Sequence, residues 1–210
     1  MSSNGAGEQV VNKRNLIVPS PDDLHACNIL YIPDDINPAT IAPVVRQALA
    51  IHMVKSPAPV SVIINSTGGD IDVGFNLIEI LLGMKRTIVT YALGGAYSAG
   101  FLIYLAGDIR IATPRSSFML HQYSWAVDGK HHELVASRVK QDHMVRVMRD
   151  YITMQSSKEA AILMEDKSDR WLTAQQARKV GIVHKIVKRV NIPQVLPVEK
   201  ESNDKQEEAE

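Results

Sequence analysis

Gly94-Gly95-Ala96-Tyr97-Ser98-Ala99-Gly100 runs straight into the apolar stretch Phe101-Leu102-Ile103-Tyr104-Leu105. A strand over Thr87 to Ala92 leads into it, and the apolar stretch reads as a buried helix. Ser98 then sits in a small-residue turn between strand and helix, with its hydroxyl exposed and held. The glycines and alanines let another chain approach the backbone. The amides that follow belong to a helix N-terminus, where negative charge is favoured. A nucleophile and an oxyanion hole need that setting.

Outward from this junction, strand-like and helix-like segments alternate. Asn28 to Ile32 reads as a strand, and Asn37-Pro38 caps and opens a helix to about Met53. Val60 to Ile64 reads as a buried strand, followed by a helix from about Asp70 to Met84. Repeated strand-to-helix steps predict an α/β fold with a parallel sheet and crossover connections. Downstream, Ser117 to Leu120 predicts a strand that ends at His121, and Asp169 lies in Ser168-Asp169-Arg170-Trp171-Leu172-Thr173-Ala174. Ser98, His121 and Asp169 could form a triad, since unrelated folds reach that geometry in different chain orders. An α/β-hydrolase elbow is disfavoured, because position 96 is Ala and that fold runs Ser, Asp, His.

The longest helix is expected from Lys130 to Met154, with Leu134, Val135, Val139, Met144, Val145, Val147, Met148 and Ile152 at helical spacing. Its other positions are heavily charged. Taken alone, such a stripe packs on its own domain or meets a partner.

Four blocks together resemble the ClpP family, the proteolytic subunits of the Clp protease. They are Ile63 to Gly69 (Ile-Ile-Asn-Ser-Thr-Gly-Gly), Gly95 to Gly100, Phe118 to Gln122 and Asp169 to Ala177, the last continuing into Val180-Gly181-Ile182-Val183. The resemblance covers residues 28 to 188. It implies a ClpP/crotonase-type α/β fold whose long helix is a protruding handle joining two rings. It implies a serine endopeptidase that cleaves unfolded polypeptides inside an oligomeric chamber. Ser98 would be the nucleophile, His121 the general base and Asp169 the group that orients the imidazole. The amides of Gly69 and Ala99 would form the oxyanion hole. No metal or organic cofactor is implied. Heptameric rings, stacked as a tetradecamer, and an AAA+ unfoldase that spends ATP are the implied partners.

The departures are specific. The family usually has Pro where Thr67 stands, Met at Ala99, Pro at Tyr123 and Tyr at Ile63. The Gly-rich strand after the histidine is here Tyr123-Ser124-Trp125-Ala126-Val127-Asp128-Gly129, which is bulkier. A changed substrate preference is expected. Residues 1 to 26 do not resemble the family's axial-loop segment, so docking to a standard Clp ATPase is a weaker expectation than catalysis.

Composition sets outer bounds. The chain has 210 residues, 45% hydrophobic and 22% charged, which suits one globular domain. Its net charge of zero gives no reason to expect nucleic acid or an anionic membrane. No apolar run reaches the roughly 18 residues of a spanning helix. The first residues lack a secretory pattern, and Cys27 is the single cysteine, which suits a reducing compartment. A cytoplasmic location follows as the expectation. Residues 1–26 read as a flexible segment, 27–190 as the peptidase domain and 191–210 as a charged tail, with Glu199 to Glu210 expected to be disordered.

Blander readings exist for each residue. Ser98 could be only a helix N-cap, His121 a satisfied strand-end histidine, and Asp169 a charge at a helix start. Thr67 to Asp70 could cradle a phosphate, but no nucleotide-binding glycine motif accompanies it. His131-His132-Glu133 begins like a zinc helix, but position 136 is Ala. Trp125 and Trp171 read as packing residues. As alternatives, the chain could be a non-catalytic or activation-dependent subunit of a mixed ring, or a crotonase-fold acyl-CoA enzyme.

Overall fold

Local start signals fix the first crossovers. In the computed structural model, which describes residues 27–191 other than 125, 127, 166 and 167, strand β1 is Ile29–Ile32 and helix α1 is Pro38–Met53. Asn37 Oδ1 accepts from the amides of Ala39 and Thr40 at 2.9 and 3.1 Å, and Pro38 takes the first helical position. Strand β2 (Val60–Ser66) leads to helix α2 (Ile71–Leu82), capped by Asp70 through the Val73 amide. Then come β3 (Ile88–Tyr97), α3 (Ala99–Leu105), β4 (Ile109–Ala112) and β5 (Ser117–Leu120). The long helix α4 (His131–Gln155), α5 (Lys158–Glu165), β6 (Arg170–Thr173), α6 (Ala174–Lys179) and β7 (Lys185–Ile186) complete the described chain.

The described residues form a seven-stranded sheet in the order β1-β2-β3-β4-β7, with β5 beside β3 and β6 beside β5. Every pair is parallel except β5 with β6. β3 is the spine. Val89 to Ala92 pair with β4, and Gly95 to Tyr97 pair with β5. This corrects the expected strand end at Ala92. Gly94 to Tyr97 are strand rather than turn, because β5 pairs with Gly95 to Tyr97 and Ser66 of β2 with Ala96, and the turn is confined to Ser98. Leu30, Val62, Ile64, Leu77, Ile78 and Leu81 are buried between the sheet and its helices. Both faces of β2 are covered, as a parallel sheet requires.

α4 divides. Met144, Met148, Tyr151 and Ile152 are buried in the core, whereas Leu134, Val135 and Val139 are 42, 53 and 65% exposed. The single apolar stripe expected from the sequence is therefore two surfaces, one packed on the chain's own domain and one left open. Lys140 Nζ reaches Asp72 Oδ2 at 2.8 Å and ties the helix midpoint to the start of α2. No helix among the described residues is long and apolar enough to cross a membrane. The segment expected to be flexible (1–26) and the tail from Glu199 lie outside the described residues, as does Trp125.

A buried arginine holds the C-terminal end of the sheet. Arg110 on β4 is 4% exposed, and its guanidinium donates to the carbonyls of Ile182, Gly107 and Gly181 at 2.7, 3.1 and 2.9 Å. Burial pushes its pKa below the ordinary arginine value, with Tyr104, Tyr151 and Asp108 opposing. Arg110→Met keeps the apolar stem but strands three carbonyls, each costing about 1–3 kcal/mol when left unsatisfied in the interior. A fall of about 3 kcal/mol in unfolding free energy is expected, read as a denaturant midpoint shift at constant m. An unchanged midpoint would mean that water replaces the guanidinium.

Candidate active site

Ser98 stands where β3 ends and α3 begins. Its amide donates to the Met119 carbonyl at 2.9 Å, extending the β3–β5 ladder by one step. Its backbone then reverses at φ 50°, ψ −118°, a left-handed conformation that a residue with a Cβ adopts only under strain. The side chain makes no cap hydrogen bond to α3. The N-cap reading is thereby set aside. Instead, Ser98 Oγ lies 2.7 Å from His121 Nε2. In the tautomer with its proton on Nδ1, the histidine accepts the Ser98 hydroxyl proton. Both side chains are half-buried, and His121 is positioned as the first residue past β5.

The turn after β2 packs on this junction. A Cβ on Gly68 would lie 2.6 Å from Ser98 Cβ and 3.2 Å from the Ala99 amide nitrogen, so only glycine fits. Gly69 has φ +140°, and a Cβ there would run into the Ile36 carbonyl. Ile36 donates to the Gly68 carbonyl and accepts from the Asp70 amide, both at 2.7 Å. That parallel bridge uses the groups flanking Gly69 and leaves its own N–H pointing away from Ile36. Neither the Gly69 nor the Ala99 amide has a hydrogen-bond partner among the described residues. Two free donors thus lie in the segments that flank Ser98.

Asp169 is placed differently. It is exposed, and among the described residues no hydrogen bond or ion pair joins it to His121. It begins no helix; α6 is capped by Thr173. However, β5 and β6 are antiparallel in a register that pairs Leu120 with Arg170. One further step sets His121 opposite Asp169. Facing residues in such a pair point to the same side with Cβ atoms about 5 Å apart. The fold therefore joins the side chains of Ser98 and His121, and among the described residues it bonds Asp169 to neither.

Below the serine is a small, mainly apolar recess lined by Phe101, Leu102, Leu120, Met148, Ile152 and Met164. Nothing in the sequence marks it, because Met148 and Ile152 fall in the apolar stripe of α4 and Met164 lies on a separate helix. Trp171, expected to be a packing residue, is 57% exposed and meets the Tyr97 ring edge-on at 4.9 Å beside the site. His131, His132 and Glu133 are exposed on the first turn of α4. Among the described residues, no three His, Cys, Asp or Glu side chains are grouped to hold a metal.

Known proteins share this arrangement of elements. The family model described as Clp protease matches residues 17–190, reaching back into the segment that the motifs left out. The ATP-dependent Clp protease proteolytic subunit 2 of Treponema denticola is 26% identical over 169 residues, covering 79% of this chain and 84% of its own length. Subunit 2 of Rhodococcus jostii is 28% identical over 146 residues, covering 68% of this chain and 75% of its own. Among solved structures, a point mutant of ClpP1 from Listeria monocytogenes matches with a TM-score of 0.70 at 25% identity, over 80% of this chain and 95% of that one.

Proposed function

We propose that this chain, which belongs to the Clp protease family, is a serine endopeptidase acting through Ser98, His121 and Asp169. The observation that carries the reading is the 2.7 Å contact between Ser98 Oγ and His121 Nε2 on a strained strand-to-helix junction. His121 takes the hydroxyl proton as Oγ attacks the peptide carbonyl. The tetrahedral oxyanion forms toward the Gly69 and Ala99 amides, each such donor lowering the barrier by about 3 kcal/mol. His121 then protonates the leaving amine, and a water it activates releases the acyl group. Asp169 holds the imidazole with its proton on Nδ1 and stabilises the cation formed in each step.

The family resemblance extends the reading to assembly. Heptameric rings, stacked in pairs through the open half of α4, would enclose the serines, and an AAA+ unfoldase would feed unfolded polypeptides to them. A cytoplasmic location belongs to the same proposal. One observation favours a conditional form of the enzyme: Asp169 is exposed rather than bonded to His121. A site completed only when that side chain turns inward would be an activation-dependent subunit.

Fluorophosphonate labelling with peptide mass mapping tests the assignment. An adduct on Ser98 alone, absent in Ser98→Ala, is expected. An assembled, folded sample that takes no label would reject the resting peptidase and favour the activation-dependent form.

The recess adds a specificity expectation. A charged side chain entering a pocket of Phe101, Met148, Ile152 and Met164 would lose its hydration without gaining a partner. Peptides with Leu or Met before the cleaved bond should therefore exceed those with Asp or Lys by at least about tenfold in kcat/KM. Matched fluorogenic peptides measure this, and equal rates would mean that the recess is not the specificity pocket.

A further inference from the structure

The Gly68–Gly69 turn is held from outside by a short chain of hydrogen bonds that begins at the cap of α1. Thr40, the third residue of α1, closes the capping box: its hydroxyl oxygen accepts from the Asn37 amide at 3.2 Å. The same hydroxyl donates to the Asp35 carbonyl at 2.5 Å. This fixes the backbone of Asp35. Its side chain then turns toward the β2 end, where Asp35 Oδ1 accepts from the Thr67 hydroxyl. Thr67 is the residue before Gly68. Beside it, the Ile36 main chain grips the carbonyl of Gly68 and the amide of Asp70.

Gly69 needs such support. At φ +140° glycine has no side chain to restrict it, and neighbouring backbone wells are equally open. A rotation of the 68–69 peptide would redirect the Gly69 N–H, and only the Ile36-to-Gly68 hydrogen bond and the chain entering the turn oppose it. The Ile36 bridge fixes both flanks of Gly69, and the Asp35–Thr67 bond fixes the chain entering the turn.

From this geometry we propose that Asp35, acting through Thr67, is a positioning residue that keeps the Gly69 amide aimed at the oxyanion site. The proposal rests on the peptidase reading above. Both side chains are exposed, so their removal should not empty the core. The effect should appear in turnover rather than in global stability.

Four variants of the full-length assembled protein test it: Asp35→Ala, Asp35→Asn, Thr67→Val and Thr67→Ser. Asn retains an acceptor oxygen and Ser retains the hydroxyl, whereas Ala and Val each delete one partner. For Asp35→Ala and Thr67→Val, kcat is expected to fall about 10- to 100-fold with KM changed less than about threefold. This is less than the 10²–10³ expected when a donor is lost outright. Affinity for a peptide boronate, whose tetrahedral adduct places an oxygen in the oxyanion site, should fall in step. Asp35→Asn and Thr67→Ser should recover most of both quantities. Combining Asp35→Ala with Thr67→Val should cost no more than either alone.

Hydrogen exchange of the peptides spanning 33–41 and 66–71 reads the clamp without reference to activity. Exchange should quicken in the two deleting variants and not in the two conservative ones. Unchanged kcat, boronate affinity and exchange in Asp35→Ala would overturn the proposal, as would a loss equally large in Asp35→Asn. Quickened exchange in the two deleting variants, in a protein whose Ser98 takes no fluorophosphonate and which has no measurable peptide turnover, would uphold the clamp and reject the resting peptidase reading instead.

Discussion

Ser98→Ala is expected to lower kcat by about six orders of magnitude while the chain remains folded. That is the scale on which removing the nucleophile of a preorganised triad acts, and the residual rate comes from binding and the oxyanion donors. The fold should hardly notice. Among the described residues Ser98 Oγ makes one hydrogen bond, to His121, and none to the backbone of α3. Alanine keeps the Cβ, so the φ of 50° stays as strained as before, and stability should move by less than about 1 kcal/mol. Peptide turnover and a thermal melt of the same sample make the comparison. A variant retaining a few per cent of parental turnover would place the nucleophile elsewhere. A variant that fails to fold would show that the serine is structural.

The start of each crossover could be read from short signals. Asn37-Pro38 opens α1, and Val60 to Ile64 forms the centre of β2, because a cap and an apolar run express their preferences locally. The end of β3 could not be read so. Gly94-Gly95-Ala96 looks like a turn by composition, and strand continues through it because Ser66 pairs with Ala96 and Ser117 to Met119, some twenty residues later, pair with Gly95 to Tyr97. The same pairing moves the reversal onto Ser98 and produces the strained φ.

α4 shows a second limit. Helical periodicity finds a face but does not say what covers it. The polar run Lys140-Gln141-Asp142-His143 marks where the helix leaves the core, and it was readable as a break in the stripe. Met148, Ile152 and Met164 come together below Ser98 only through the packing of α4 on α3 and α5, which no local pattern encodes. The Asp35–Thr67 bond spans 32 positions and joins two exposed residues, so although Thr67 stands out as a departure within its block, nothing in the sequence ties it to Asp35. The serine and histidine were visible because their types and places at strand ends are chemically distinctive. Their supports are ordinary residues that acquire a role by position.

Asp169→Asn should cut turnover by about 10⁴-fold with the fold intact, the size expected when the imidazole settles in the wrong tautomer. A carboxylate facing Nδ1 can only accept, so it selects the form with the proton on Nδ1 and leaves Nε2 free to take the Ser98 proton. An asparagine amide can donate to Nδ1, which selects the form protonated on Nε2. That form cannot accept from Ser98 Oγ at 2.7 Å. Because Asp169 is exposed and lies just before β6, the substitution removes no buried contact. The loss should therefore fall on kcat, with the melting temperature unchanged. Adding Asp169→Asn to Ser98→Ala should then change nothing further, since an orienting group has no task once the nucleophile is gone. Turnover within about tenfold of the parent would remove Asp169 from the triad and leave Ser98 and His121 as a working pair. A further fall in the double variant would show Asp169 acting on binding or assembly, outside the chemistry of the serine.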